Sequence, residues 1–418
     1  MNMIEKILAR GSARDAVAPG EVVVARVDLM VMHDLSANFV TRVFREELED
    51  GKIDDPSRIA FVFDHNFSAP TEEAAERLHR VRLFAQTHGI RVFDGGSGSL
   101  HHAIIESGLW APGQIIIGCD SHTPIHGALG VFATGVGNNS MAALGFQYSK
   151  AWFRVPETIQ VRITGTPAES VTPRDVAQHV VGTMGEDSAI YQALEYAGSY
   201  IEGLSIEDRC LFPLMSIDLG AKAAFINPDD KTEAYARQHS SFKDFTIMKN
   251  DPDSSYAKVI EIDAGSIDGP QVACPPTVGN VKSVADVAGT RVHIAEVGGS
   301  TGGRLTDIRT LVEHLNGRPA HANVRLQVVP ANRSIYKAAI QEGLIETLID
   351  AGAIICPPSA GSNQAVNMGA MCADEVMISN QARNFPGRNG STKARHYLAS
   401  TDTVAASART GVITDPRQ

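Results

Sequence analysis

The chain has 418 residues, of which 43% are hydrophobic, 6% aromatic and 20% charged, a composition typical of a globular protein. This length predicts two or three domains. Thirty-seven Lys and Arg residues stand against 48 Asp and Glu residues, which gives a net charge of -11, and no basic run occurs. The charge therefore argues against nucleic-acid binding through phosphate contacts.

The hydrophobic segments are short. None reaches the roughly 18 to 20 apolar residues that cross a bilayer. The first residues, MNMIEKILARGS, lack the apolar core of a signal peptide. We therefore expect a cytoplasmic protein with no membrane partner.

The cysteines give no recognisable framework. There are five, an odd number, widely spaced and without a CxxC pair: Cys119, Cys210, Cys274, Cys356 and Cys372. This spacing predicts neither a disulfide-rich fold nor a standard zinc or iron–sulfur site.

The first clear elements follow the order strand, polar turn, helix. Residues 58–63 form a short apolar run that predicts a buried strand, and Asp64 and His65 follow at its carboxyl end. A helix is predicted next, ended by Gly89, and then a strand at 90–93.

The same order recurs at residues 114–118, a predicted strand followed by Asp120, Ser121 and His122. In open parallel sheets, ligands bind beyond the carboxyl ends of the strands. The two acid–histidine pairs are therefore predicted to belong to one site.

The second half begins with a polar, broken segment at 227–285, which predicts surface excursions. From about 288 the α/β alternation starts again. We therefore expect an α/β protein with a boundary near 286, dividing it into residues 1–285 and 286–418. The elements predicted in the second part are strands at 292–297, 324–329 and 353–355 and a helix at 305–315.

The acid–histidine pairs are the main candidates for catalysis. A carboxylate beside an imidazole sets its tautomer and pKa for proton transfer. A single pair is also typical of a helix cap or a buried structural histidine. Two pairs at strand ends, with His101 in a nearby loop, favour an acid–base site. Zinc is the alternative, although no HExxH spacing is present.

A glycine-rich turn at 298–304 lies between a predicted strand and helix, where free backbone N–H groups can hold an anion. Neither GxGxxG nor GxxxxGK[ST] fits these residues. A tight structural turn is the simpler interpretation.

Two arginines, Arg383 and Arg388, stand in a Gly/Pro loop after a predicted strand at 375–379. Guanidinium groups make bidentate contacts with carboxylates, so this pair suits a di- or tricarboxylate substrate. Two surface salt bridges are the alternative.

Several ordered motifs carry a resemblance across nearly the whole chain. They are HD at 33–34, DH at 64–65, SLHH at 99–102, DSHTPIHGALGVFATGVG at 120–137 and RNFPGR at 383–388. With them the sequence resembles the aconitase superfamily, in particular the large subunits of isopropylmalate-dehydratase-type enzymes. The resemblance implies three α/β domains here, domains 1 and 2 interleaved over 1–285 and domain 3 over 286–418. It also implies a separate small subunit carrying a swivelling domain.

The resemblance implies reversible removal or addition of water on a small hydroxy di- or tricarboxylic acid. The positions that match the catalytic acid–histidine network are Asp64, His65, His101, Asp120 and His122, with Asp218 where the family has a glutamate. The positions that match substrate binding are Asn38, Ser121, Arg383 and Arg388.

One feature of that family is altered here. The family holds a four-iron cluster by three cysteines, and the matching positions are Ser300, Ala360 and Asn363. From this replacement we expect no cofactor. The alternative is a mononuclear metal ion or a non-standard iron–sulfur centre, held by thiols such as Cys119 or by the carboxylate–histidine set.

The sequence thus predicts a cluster-independent hydro-lyase or isomerase. A histidine, His101 or His65, would protonate the departing hydroxyl, with Asp120 or Asp64 tuning it. Two alternatives stay open: other chemistry on a similar acid, such as decarboxylation or double-bond isomerisation, and a catalytically inactive binding or regulatory subunit.

Overall fold

The computed structural model describes residues 1–48, 51–138 and 140–418. Within these ranges the chain forms four sheets surrounded by helices, three of them wholly or mostly parallel. The expected α/β class is confirmed. No helix in the described ranges has the length and apolar character needed to span a membrane.

Most of the strands are separated from one another along the chain by helices. In chain order they are β1 (Val22–Arg26), β2 (Leu29–His33), β3 (Ile59–Val62), β4 (Arg91–Phe93), β5 (Ile115–Gly118), β6 (Phe132–Gly135), β7 (Lys150–Arg154), β8 (Thr158–Thr164), β9 (Ala193–Ala197), β10 (Ala223–Ile226), β11 (Lys258–Asp263), β12 (Gln271–Ala273), β13 (Val281–Ser283), β14 (Ile294–Gly298), β15 (Arg325–Val329), β16 (Ile354–Ile355), β17 (Val376–Ser379) and β18 (Arg395–Ala399).

The α-helices cover the faces of the sheets. In chain order they are α1 (Met3–Gly11), α2 (Asp34–Glu47), α3 (Glu72–His88), α4 (Leu100–Ser107), α5 (Ser140–Tyr148), α6 (Pro173–Met184), α7 (Ser199–Gly203), α8 (Ile206–Arg209), α9 (Leu211–Met215), α10 (Asp230–His239), α11 (Leu305–Leu315), α12 (Arg333–Gln341), α13 (Leu344–Asp350) and α14 (Thr401–Thr410).

The first sheet is fully parallel, in the order β4-β3-β2-β5-β6. All four residues of β3 are buried, as expected for a strand covered by helices on both faces. The strand order reverses between β2 and β5. Such a reversal opens a crevice at the carboxyl ends of the strands, which is where Asp64 and Asp120 follow β3 and β5.

The helices pack against this sheet through an aromatic core. Phe44 of α2 and Phe146 of α5 pack with ring centroids 5.8 Å apart, and both join the cluster that holds Phe61 of β3. The predicted helix after β3 is confirmed as α3. It begins after Thr71, which caps it, and ends at Gly89 in the left-handed conformation.

The second sheet has the order β10-β9-β8-β11 and is parallel throughout. The third has the order β13-β12-β18-β17-β14-β15-β16 and reverses between β14 and β17. A fourth, two-stranded sheet pairs β1 with β7. The polar segment 227–285 was predicted as surface excursions, but β11, β12 and β13 in it join large sheets. The partners of β11 and β12 are β8 and β18, which are distant in sequence, so these short strands gave no local signal.

The first and third sheets meet at their carboxyl ends. Ser99 N–H donates to the carbonyl of Ala331 at 3.0 Å, and Gly98 forms a bridge with Asn332. Ala360 N–H donates to the carbonyl of Asp64 at 2.9 Å. The two reversal points therefore lie close to each other, while the division of the chain at 285/286 stays a prediction.

Candidate active site

Asp64 and His65 form a buried pair at the carboxyl end of β3. His65 Nδ1 lies 2.7 Å from Asp64 Oδ1, and the other Asp64 oxygen accepts a hydrogen bond from Leu100 N–H at 2.6 Å. Burial lowers the pKa of His65, but the adjacent Asp64 carboxylate outweighs burial and raises it to about 9. His65 is therefore protonated at neutral pH and can donate a proton.

Asp34 supports this pair from the first turn of α2. Its two carboxylate oxygens accept hydrogen bonds from the N–H groups of Asp64, His65 and Asn66 at 3.3, 3.0 and 2.6 Å. The ring of His33 lies against the ring of His65, with centroids 4.2 Å apart. Burial and the neighbouring His65 lower the pKa of His33 to about 3, so His33 stays neutral.

Asp120 lies at the centre of a second group after β5. His101 Nε2 is 2.8 Å from Asp120 Oδ1, and His122 Nδ1 is 3.4 Å from the same atom. Burial raises the pKa of Asp120, but these two imidazoles outweigh burial and hold it well below its usual range. Burial lowers the pKa of His122 to about 4 despite Asp120. A neutral His122 next to an ionised Asp120 can accept a proton.

The third group comes from the second and third sheets. Arg383 Nε donates to Asp218 Oδ1 at 3.0 Å. Burial raises the pKa of Asp218 to about 6, although Arg383 works against this rise. Burial lowers the pKa of Arg388 to about 10, with Arg383 adding to the effect. Asp218 is thus a buried partner of the arginine pair.

These groups lie near enough to one another to influence each other electrostatically. Arg383 lowers the pKa of His122, and Asp120 and Asp218 both raise that of Arg388. Asp120 also raises the pKa of His65. Several buried polar atoms here have no hydrogen-bond partner among the described residues: His101 Nδ1, His122 Nε2, Asp218 Oδ2 and Arg388 Nε. Unpaired buried polar atoms are costly, which suits a site that takes a polar ligand.

The two remaining predicted substrate-binding residues, Ser121 and Asn38, differ in their contacts with the site. Ser121 Oγ lies 3.5 Å from His122 Nδ1, within the second group. Asn38 lies on α2 and is partly buried, and no side-chain hydrogen bond connects it to the site among the described residues. The sequence interpretation missed His33 and Asp34 as supporting residues. Their signal was present, because His33 is the last residue of a buried strand, β2, and Asp34 directly follows it.

The turns after β14 and β16 hold the three positions that the sequence resemblance matches to cluster cysteines. Ala360 and Asn363 are buried and Ser300 is partly buried. In the described chain, the one group of three or more His, Cys, Asp or Glu side chains close enough for a metal ion is His33, Asp34, Asp64 and His65. Both Asp34 oxygens already accept backbone hydrogen bonds. No cysteine joins this group, and all five are free thiols.

The chain matches the aconitase family (aconitate hydratase) over residues 5–290 and 277–411. It is 42% identical to a probable 3-isopropylmalate dehydratase large subunit of Methanothermobacter thermautotrophicus, covering 100% of this chain and 99% of that protein. It is 41% identical to 3-isopropylmalate dehydratase large subunit 1 of Methanopyrus kandleri, covering 99% and 98%. It is 40% identical to a probable methanogen homoaconitase large subunit of M. thermautotrophicus, covering 100% and 98%.

These similarities correct the expectation of no cofactor, which is wrong. The family match and the dehydratase relatives point to an iron–sulfur cluster. The described side chains do not fit a cluster held by three thiolates, because Ser300, Ala360 and Asn363 occupy the turns and the cysteines form no ligand group.

The match extends along the chain from α1 to α14, and it includes both acid–histidine pairs and the arginine loop. The relatives match the chain at about 40% identity over nearly their full length. The chain belongs to the aconitase family.

Proposed function

We propose that this chain is the large subunit of a hydro-lyase that reversibly removes or adds water on a small hydroxy di- or tricarboxylic acid. The observation that carries the proposal is the electrostatic coupling of three buried groups near the facing sheet ends: Asp64 with His65, Asp120 with His101 and His122, and Asp218 with Arg383 and Arg388. The relatives named dehydratase and homoaconitase large subunits support it.

In this proposal the arginines bind the substrate. Arg388 Nε has no partner among the described residues, so it is available to a carboxylate. Arg383 keeps one contact with Asp218 and has further guanidinium hydrogens to offer. Two guanidinium groups in one loop match a substrate with two carboxylates.

The histidines move protons in this proposal. His65, held protonated by Asp64, donates its proton as the carbon–oxygen bond breaks, so that the hydroxyl departs as water. A proton leaves the neighbouring carbon, and its electron pair forms the double bond. Hydration runs these steps in reverse. Asp120 holds His101 in place as the second candidate donor.

The base that takes the carbon-bound proton is assigned to a small subunit. The relatives' names contain "large subunit", which supports a separate partner of this kind. The functional unit proposed is therefore a heteromer working in the cytoplasm.

The test is direct. The chain is co-produced with its small-subunit candidate without oxygen, its iron and sulfide are measured, and a panel of hydroxy di- and tricarboxylic acids is supplied. Formation of a conjugated double bond, followed by ultraviolet absorbance, together with exchange of the carbon-bound proton in D₂O, followed by NMR, is expected for at least one acid. Release of CO₂, or double-bond movement without water loss, would establish the alternative chemistry. Binding without any turnover would establish an inactive relative.

A further inference from the structure

A buried carboxyl in the third sheet belongs to none of the catalytic assignments. Glu296 is the third residue of β14, and it is fully buried between β15 and β17. The other residues of this strand are apolar or glycine. Burial raises the pKa of Glu296 to about 7. An acid in this place carries a free-energy cost, so its partners are informative.

The carboxyl is held by amide donors from two loops. Gln381 Nε2 donates to Glu296 Oε1 in a short hydrogen bond, and the N–H of Ser362 lies 3.3 Å from Oε2. Gln381 Nε2 also donates to Ser362 Oγ at 2.9 Å. Asn389 Nδ2 donates to the same oxygen at 2.8 Å. These four buried residues form one network, called here the Glu296 network.

The network holds both ends of the arginine loop. Gln381 is two residues before Arg383, and Asn389 directly follows Arg388. The side chains of Gln381 and Asn389 meet at Ser362 Oγ, and Asn389 Nδ2 lies 3.4 Å from Gln381 Oε1. The two ends of the loop that carries the two guanidinium groups are thus connected to each other.

The network also reaches the first acid–histidine pair. Ser362 lies in the turn whose Ala360 N–H donates to the carbonyl of Asp64 at 2.9 Å. Two residues beyond Ser362, Gln364 Nε2 lies 3.3 Å from His65 Nε2. One side of the Glu296 network therefore contacts the arginine loop, and the other side contacts the turn that supports Asp64 and His65.

The backbone around the carboxyl is packed too closely for side chains at two glycine positions. A Cβ at Gly361 would lie 2.8 Å from Glu296 Oε1, and one at Gly299 would lie 2.9 Å from the carbonyl of Ala360. Both glycines have positive φ, +68° and +83°. The two turns therefore close over the carboxyl as bare backbone.

We propose that Glu296 is a positioning residue that, through Gln381 and Ser362, sets the placement of Arg383 and Arg388 relative to the Asp64–His65 pair. This inference rests on the proposed function in assigning carboxylate binding to the arginines. Glu296 acts on affinity for the acid through the loop and touches no reacting atom.

The test replaces the carboxyl without changing its size. Glu296→Gln puts an NH₂ group where the carboxyl faces N–H donors on both sides, so the loop shifts. We expect KM for the turned-over acid to rise about tenfold, the effect of losing one such hydrogen-bond contact, while kcat changes less than threefold. The matched control is Glu195→Gln, a second buried acid, which is bound by Gln160 and Asn250 away from the site.

A second readout does not depend on turnover. Binding of citrate to the purified complex, followed by calorimetry, should weaken about tenfold in Glu296→Gln and stay unchanged in Glu195→Gln. If no acid is turned over, the proposed function is wrong. The measurement of citrate binding still tests the role of Glu296 in that case. Failure of citrate to bind the unmodified complex would overturn the positioning role.

Two further results decide the matter. Unchanged KM and citrate affinity in Glu296→Gln, or equal losses in both glutamate variants, would overturn the inference, because equal losses indicate general destabilisation. If Glu296→Gln does not fold, Gln381→Leu removes the same contact from the loop side. Gln381→Leu should then weaken citrate binding, and unchanged binding would contradict the inference.

Discussion

The ends of the first and third sheets have the same architecture and different chemistry. Both lie at a reversal of strand order, and both present turns to the same space. The first carries ionisable groups in pairs, such as Asp64 with His65 and Asp120 with His101. In the third, the turns at 299–303 and 356–363 carry glycines and uncharged side chains, with the Glu296 carboxyl buried beside them, and the loop after β17 carries Arg383 and Arg388.

The difference separates two tasks. Proton transfer needs ionisable groups whose pKa values are moved apart, and the first sheet provides a protonated His65 beside a neutral His33. Binding an anion needs fixed donors, and the third sheet provides Arg383 and Arg388 on an anchored loop. Substitutions at the first end should reduce kcat, while those at the third should raise KM.

The largest effect is expected at His65. His65→Gln keeps a polar side chain but cannot donate an acidic proton, so kcat should fall by roughly 10²- to 10⁴-fold. The control is His79→Gln, an exposed histidine of α3, which should behave as the unmodified protein. Steady-state kinetics with the small subunit measures both. A fall in kcat of less than tenfold in His65→Gln would indicate that His101, and not His65, is the acid.

Substitution of Arg388 tests substrate binding at the end of the third sheet. Arg388→Lys keeps the charge but loses the planar pair of donors, so KM should rise by about 10- to 100-fold with a smaller change in kcat. The control is Arg80→Lys on the exposed face of α3. A fall in kcat at constant KM would remove the distinction between the two ends.

The pH dependence links the two ends. Below a pH of about 6, protonation of Asp218 weakens its contact with Arg383, so kcat/KM should fall. Above a pH of about 9, His65 loses its proton and kcat/KM should fall again. A bell-shaped profile between these values is expected, and Asp218→Asn should remove the acidic limb. A maximum below pH 6 would contradict the assignment of both groups.

The smallest effect is expected at Ser300. Its side chain has no hydrogen bond within the described residues, so Ser300→Ala should leave kcat/KM within about twofold and the free energy of unfolding within about 0.5 kcal/mol. The same substitution at the first sheet, Ser121→Ala, removes a hydroxyl near His122 and should lower kcat/KM by about threefold or more. If Ser300→Ala lowered kcat/KM as much as Ser121→Ala, both serines would contact the substrate.

Local sequence patterns predicted the elements whose signal is local. The apolar run at β3, the capped helix α3 and the helix α11 were all predicted near their observed bounds. The strands β11 and β12 were not, because each depends on a distant partner, β8 or β18. A strand of three to six residues that depends on a distant partner is too short to show a hydrophobic periodicity of its own.

The site divides in the same way. Asp64 and Asp120 were predicted because polar residues directly after buried strands are conspicuous. Asp34 was missed although it has the same signal, since a supporting role appears only when its contacts with residues 64–66 are known. Glu296 was visible as a lone acid in an apolar strand. Its partners Gln381 and Ser362 come from loops that the sequence does not bring together.

The joint at Gly98 and Ser99 has a consequence for how the site tolerates substitution. It consists of main-chain contacts with Ala331 and Asn332, and a Cβ at Gly98 would lie 2.7 Å from the carbonyl of Ala331. Because the main chain makes these contacts, the start of α4 and with it His101 keep their place when side chains in the opposite turns are replaced. Position 98 itself is restricted, because any residue with a Cβ there would press the two sheet ends apart.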